Sequence, residues 1–270
     1  MKYYLYNPKA HSGAKFDFAD DMNVVYGIGL NYQEFVDSMN DDDELVLVGG
    51  DGTINYFVNN VDVKNMKQKI YVMAGGTGND FFYDIEGTFG NEEEITDLLK
   101  DLPTVELNGI SRKFINGIGG GLDGYCCVEA DRMRREDPKK KFNYTALALK
   151  GILGAYKPVK AKVIVDGKVS DFDHVWIIPV MKGRYYGGGM IISPDQDRRS
   201  DMLSLVAIHT RSIPGILAAL LAVFKGEHVK YKKVVNIIYG KEIEVIFDRP
   251  CACQIDGETV YDVSSYKVHI

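Results

Sequence analysis

Leu45-Val46-Leu47-Val48-Gly49-Gly50-Asp51-Gly52-Thr53 is the stretch on which the reading of the fold turns. Four apolar residues in a row, two of them β-branched valines, describe a strand covered on both faces, the usual condition inside a parallel sheet. The run then stops in three glycines, a carboxylate and a hydroxyl. Gly49, Gly50 and Gly52 have no Cβ and permit positive φ, so backbone N–H groups there can come close to a polyphosphate. A short helix is predicted from Thr53 to Asn60, with Ile54, Phe57 and Val58 at helical spacing; its N-terminus adds partial positive charge beside the loop. Asp51 would repel a bare phosphate unless a cation lay between them, so the loop points to ATP with Mg²⁺. Taken alone, the same residues also describe a common strand-to-helix turn with Asp51 as a cap.

The next strand candidate, Gln68-Lys69-Ile70-Tyr71-Val72-Met73, repeats the design by running into Ala74-Gly75-Gly76-Thr77-Gly78-Asn79-Asp80-Phe81. Two neighbouring strands ending this way deliver two carboxylates and many backbone donors to one edge of a sheet, where open α/β folds place ligands. The competing reading is an Asx turn or helix cap at Asn79 and Asp80.

With both loops in view, the chain resembles the diacylglycerol kinase catalytic-domain family of soluble bacterial lipid kinases. Gly49-Gly50-Asp51-Gly52-Thr53 is shared with the NAD kinase and sphingosine kinase relatives, whereas Gly76-Thr77-Gly78-Asn79-Asp80 is more typical of the lipid-kinase branch. Four further segments follow in the family's order, and one more precedes them. Asn7-Pro8-Lys9-Ala10-His11-Ser12-Gly13 looks like the turn after the first strand, and Phe114-Ile115-Asn116-Gly117 with Gly119-Gly120-Gly121 looks like the entry to a second domain. Gly187 to Asp195 is similar to the family's GGGM…PDA stretch, Asp201-Met202-Leu203 stands where it has Asp-Gly-Leu, and Gln254-Ile255-Asp256-Gly257-Glu258 matches its QxDGE.

The resemblance implies an ATP-dependent lipid kinase with ATP and Mg²⁺ as cofactors and diacylglycerol as first candidate acceptor; a kinase for a soluble acceptor such as NAD, or a catalytically weak nucleotide- or lipid-binding relative, is the alternative. Asp51 and Asp80 would hold Mg-ATP. Asn7, Ser12, Gly49, Gly50, Gly52, Thr53, Gly76, Thr77, Gly78 and Asn79 would line the nucleotide. Glu258 would act as general base, because a primary alcohol is a poor nucleophile until a carboxylate accepts its proton. Asp256-Gly257 is at the same time a standard hairpin signal. Glu106 occupies the place of a further acidic residue of the family. Asp201, with the carbonyls of Arg198 and Leu203, matches a structural Mg²⁺ site of some members; a solvated loop aspartate is the competing reading. The chain departs from the pattern at Tyr56, usually Glu, and at Phe82-Tyr83, usually Ala-Arg. The short spacing between Ser12-Gly13 and Gly49 predicts a trimmed first helix and strand.

Outward from these motifs, a strand is expected at Lys2 to Tyr6 and helices near Asn31 to Met39 and Glu92 to Lys100. After about Leu107 the apolar runs shorten and alternate, as at Ala161 to Val165, Val175 to Val180 and Leu203 to Ile208, which predicts antiparallel β structure. Two domains are expected: an α/β nucleotide-binding domain over 1–107, and a mainly antiparallel β-sandwich acceptor-binding domain carrying a few helices over 108–270, whose last residues could return to the first. Asp131 to Asp137, followed by Lys139 to Lys141, reads as a solvated helix end. Ile213 to Phe224 is apolar, too short to span a bilayer, and reads as a helix packed on the sheet, with an interfacial membrane contact as second choice.

At 270 residues, 46% hydrophobic, the chain can bury a substantial core, and its net charge of −6 lends no support to nucleic-acid binding. The spacing of Cys126, Cys127, Cys251 and Cys253 does not suit a zinc knuckle, and His11, His174, His209, His228 and His269 form no ligand pair. With no secretory signal ahead of the first strand, reduced thiols are expected in a cytoplasmic protein. The resemblance places it peripherally at the inner face of the cell membrane, where the lipid acceptor resides, and is compatible with a homodimer.

Overall fold

The computed structural model describes residues 1–8, 16–75, 78–137 and 143–270. The chain divides between Leu102 and Pro103 into two units. In the first, the elements are β1 (Lys2–Tyr6), β2 (Asn23–Tyr26), α1 (Tyr32–Asp37), β3 (Glu44–Gly49), α2 (Asp51–Asn60), β4 (Lys69–Ala74), α3 (Asp80–Asp84), β5 (Glu92–Glu94) and α4 (Thr96–Lys100). The sheet order is β2-β1-β3-β4-β5, parallel except for β5. Leu45 through Val48 are buried at every position, because β3 lies between β1 and β4 and is covered on both faces.

The expected trimming has a physical form. In the described part of the β1–β2 connection, residues 16–22, there is no helix. Instead Phe16 and Phe18 pack on Tyr4 and Tyr6 with ring centroids 5.4 to 6.3 Å apart, and with Val46 and Val48 they cover that face of the sheet.

The helix expected near Glu92 to Lys100 is only half correct. Glu92–Glu94 is an antiparallel edge strand, and helix begins at Thr96. Pairing overrides the poor strand propensity of three glutamates: Lys2 and Tyr4 each bond Glu92 at 2.7 Å, and Lys69 bridges Glu94 at 3.2 Å. The bond from Lys2 to Glu92 also raises the lysine pKa above its ordinary value.

The second unit runs β6 (Thr104–Leu107), β7 (Ile110–Lys113), β8 (Gly117–Gly121), α5 (Leu122–Glu136), α6 (Tyr144–Lys150), β9 (Val159–Val165), β10 (Lys168–Met181), β11 (Tyr185–Tyr186), β12 (Met190–Ile191), β13 (Leu203–His209), α7 (Ile213–Val223), β14 (Val235–Gly240), β15 (Glu242–Ile255) and β16 (Glu258–His269). The unit starts at Pro103 rather than 108 because β6 pairs with β16; that last strand stays within the second unit, against β15 and β6. All its strand pairs are antiparallel.

Two long strands turn this sheet back on itself. β9 pairs with the first half of β10 and of β15, while β8 pairs with their second halves. The register of β10 shifts between Phe172 and Val175, with His174 at φ 53, and that of β15 shifts beyond Ile246. Such bulges bend a strand, so the halves form two facing layers. Ile178, Val180, Leu205 and Ala207 point into the core between layers; Ile177, Met181, Val206 and Ile208 point to the opposite face, under α5, α6 and α7. The runs at Val175 and Leu203 are therefore apolar at consecutive positions, both faces being covered. All four cysteines are free thiols; burial pushes Cys126 up to about 12.

Candidate functional site

β3 and β4 are neighbours in the first unit, paired from Glu44/Lys69 to Gly49/Ala74, so their loops leave the same edge of the sheet side by side. The loops are laced together. Gly75 N donates to Gly49 O at 3.0 Å, and Asp51 N donates to Gly78 O at 2.9 Å. The buried Asp51 carboxylate accepts from Asp80 N at 2.8 Å and Phe81 N at 3.1 Å. Asp51 thus caps a helix, but the helix of the other loop; Asn79, at the cap position of α3, makes no side-chain cap bond there. Asp80 follows in the first turn of α3, also buried.

The glycines act through space rather than through left-handed backbone. Gly50 has φ −109 and Gly52 lies inside α2, which starts at Asp51, two residues earlier than predicted. A Cβ on Gly49 would stand 2.2 Å from Thr53 Oγ1, so this position has no room for a side chain. A Cβ on Gly52 would meet nothing within 4 Å, and one on Gly78 only Asp51 Oδ2 at 3.7 Å. Open backbone next to two buried carboxylates is a surface that fits a phosphate chain with its cation, since Mg²⁺ prefers hard oxygen donors. Asn7 stands just past the end of β1 and Thr53 is buried in α2; Ser12, Gly76 and Thr77 lie outside the described residues.

Glu258, in the second unit, opens β16 directly after a tight hairpin: Asp256 and Gly257 sit at φ 45 and 87, and Ile255 pairs with Glu258. The hairpin reading of that motif holds, and the turn leaves the Glu258 carboxylate exposed. Arg112 Nη1 donates to Glu258 Oε2 at 2.6 Å. Asp256 faces inward and accepts from Ile115 N, Asn116 N and Gly117 N at 2.7, 2.9 and 3.0 Å. The buried Arg198 guanidinium donates to Ile115 O, and to Asn116 Oδ1 at 2.7 Å. Residues 115–117 are therefore clamped, their N–H groups by Asp256 and a carbonyl by Arg198.

The remaining acidic candidates sit elsewhere in this unit. Glu106 is exposed on β6, opposite Lys267 and Ser111, and lines a depression of about 390 Å³. Asp201 is exposed and bonded to the Lys241 ammonium, which holds its carboxyl below the usual range. Leu203 begins β13, opposite Gly240. A cation at Asp201 would have to displace Lys241.

The family model for the diacylglycerol kinase catalytic domain matches residues 28–108, and that for the YegS C-terminal NAD kinase beta sandwich-like domain matches residues 116–267. The chain belongs to the diacylglycerol kinase catalytic-domain family. A Mycobacterium tuberculosis protein named diacylglycerol kinase is 24% identical over 230 residues, covering 80% of this chain and 73% of that one. A Bacillus subtilis protein of the same name is 26% identical over 230 residues, covering 80% and 71%. Among solved structures, a diacylglycerol kinase from Bacillus anthracis superposes with a TM-score of 0.64 at 16% identity, over 99% of this chain and 92% of that one, which shows the shared fold.

Within this lipid kinase family, the departures at Tyr56 and Phe82-Tyr83 have packing roles. Tyr56 stacks edge-on against Tyr32 at 5.0 Å; Phe82 is buried against Phe89 at 5.0 Å. Sequence reasoning passed over Arg112, Asp123 and the guanidinium of Arg198, of which it used only the carbonyl. No motif signals the arginines, whose partners lie 146 and 83 residues away. Asp123 follows the glycine run of β8, and a Cβ on Gly119 would touch its Oδ2 at 2.0 Å. Burial raises its pKa from 3.8 to about 6, with the N–H of Gly124 and the Gln254 amide opposing.

That shift sets a pH dependence. The folded state holds the proton more tightly than the unfolded chain, so the residue costs nothing below pH about 4, and its cost grows to roughly 3 kcal/mol above pH about 6. Asp123→Asn is expected to gain on the order of 2–3 kcal/mol over wild type between pH 4.5 and 7.5, by urea unfolding. A stability difference that stays flat across that range would refute the assignment.

Proposed function

We propose that the protein is an ATP-dependent, Mg²⁺-requiring lipid kinase that transfers the γ-phosphoryl group to a lipid hydroxyl, with diacylglycerol the first acceptor to test. The reading is carried by the buried Asp51 carboxylate, which ties together two glycine loops at one sheet edge beside Asp80. Family membership and relatives named diacylglycerol kinase support the acceptor class. When bound, Mg-ATP would supply the phosphoryl group and a cation that offsets its negative charge. Asp51 and Asp80 would be the oxygen donors for that cation, and the open backbone at Gly50, Gly52 and Gly78 would line the phosphates.

Glu258 takes the hydroxyl proton as the phosphoryl group transfers. Arg112 engages Oε2 and so orients the carboxylate, leaving the base role to the other oxygen; it is a positioning residue. Glu106, and Asp201 with the carbonyls of Arg198 and Leu203, would be accessory metal ligands, the latter requiring that Lys241 swing away. A cytoplasmic enzyme held peripherally at the inner membrane face follows from the acceptor.

The test is phosphate transfer from labelled ATP to diacylglycerol in mixed micelles with Mg²⁺. Glu258→Gln is expected to lower kcat by about 10²–10⁴-fold with the KM for ATP unchanged. Full activity of that variant would remove Glu258 as base; NAD phosphorylation with every lipid inert would redirect the acceptor to a soluble molecule.

A further inference from the structure

α7 breaks the pattern expected of a surface helix. Its sequence, Ile-Pro-Gly-Ile-Leu-Ala-Ala-Leu-Leu-Ala-Val, holds no polar side chain, and Ser212 caps it by accepting from Gly215 N at 3.1 Å. Ile216, Ala219, Leu220 and Val223 pack into the core under the sheet. A flanking stripe, Ile213, Leu217, Leu221 and Phe224, advances by four, four and three residues and turns progressively away from the core, Leu217 still packing against it. Ile213 and Phe224 are exposed, Leu217 is half-buried, and Leu221 is 74% exposed. A helix apolar all round belongs in a core or against an apolar partner. Beside it lies the wide turn Gly151–Ala155, which α7 touches; there Gly154, at φ 127, leaves Leu153 70% exposed. Contiguous apolar surface of this kind marks an interaction site.

Charge decides what covers it. Residues 211–233 carry five basic side chains, Arg211, Lys225, Lys230, Lys232 and Lys233, against Glu227 alone, in a chain of net charge −6. Lys225, Lys232 and Lys233 are exposed, and Lys230 bridges Glu227 at 2.7 Å. A second copy meeting this face across a two-fold axis would bring basic rim onto basic rim. An anionic lipid surface would complement it, accepting the apolar stripe below its headgroups. At eleven residues α7 is about 16 Å long and cannot span a bilayer.

We propose that the outward face of α7, with Leu153, docks the protein onto anionic membranes through Leu221 and Phe224, with Lys225, Lys232 and Lys233 at the headgroups. The proposal extends the lipid-kinase reading by naming the surface that meets the membrane, yet vesicle binding needs no turnover.

Sedimentation with phosphatidylglycerol vesicles, compared with phosphatidylcholine vesicles, tests it. Leu221→Asp with Phe224→Asp is expected to weaken binding to anionic vesicles at least tenfold with the unfolding midpoint unchanged. Lys232→Glu with Lys233→Glu should abolish the preference for anionic lipid. Leu221→Trp should shift its emission to the blue on vesicles, the single native Trp176 being buried. Asp51→Asn should still bind, and the Leu221/Phe224 double variant should still phosphorylate a short-chain, water-soluble diacylglycerol. Vesicle binding unaffected by these substitutions would overturn the docking face, as would a dimer that the Leu221/Phe224 variant dissociates. Vesicle binding without phosphorylation of any lipid would leave docking in place and defeat the kinase reading.

Discussion

Asp51→Asn should cut ATP-dependent phosphorylation of diacylglycerol by roughly a thousandfold, the scale of removing one electrostatic group from a transfer site. Asparagine keeps the shape of aspartate and loses its charge, so it cannot neutralise a bound cation. It also replaces one of two acceptor oxygens by an amide, which would then face Asp80 N or Phe81 N. Leaving one such donor unmatched costs about 1–3 kcal/mol of stability. The two effects separate in practice. An unfolding free energy in urea lowered by no more than that, with Mg²⁺-dependent ATP binding lost in calorimetry, identifies a metal-holding role. Activity within tenfold of wild type would mean that Asp51 serves only to join the loops.

The largest expected stability effect lies in the other unit. Asp256→Ala removes one carboxylate and strands three backbone donors, those of Ile115, Asn116 and Gly117. The cost is about 3–5 kcal/mol, since orphaned buried donors forfeit their hydration without recompense. It also strips Asp from a position at φ 45, where Asp and Asn are tolerated better than Ala. Asp256→Asn retains one acceptor and the turn preference, so about 1–2 kcal/mol is expected for it. Equal losses for the two variants in denaturant unfolding would show that the carboxylate bonds contribute little.

The legible parts of the fold were those dictated by local pattern. The apolar run at Leu45 and the paired glycine loops announced adjacent parallel strands, and Asp256-Gly257 announced its hairpin. Glu92 to Lys100 misled because its first three residues form an edge strand only through Lys2, Tyr4 and Lys69, two of which lie about ninety residues away in the chain. The direction of the Asp51 carboxylate was equally illegible: the residue is a cap, but of the helix twenty-nine residues on. Asp201 likewise found an ammonium from β14–β15 in the place of a cation.

By itself the sequence determined the order of the motifs, the α/β-then-antiparallel-β plan and the family, since these rest on periodicity, turn chemistry and residue type at short spacing. Tertiary structure alone decided which side chains became partners: Asp51 with the backbone of the second loop, Arg112 with Glu258, Asp256 and Arg198 with residues 115–117, and which face of α7 stayed outside. Hydrogen bonds and burial act over a few ångströms, and chain positions separated by scores of residues reach that distance only once the sheets have closed.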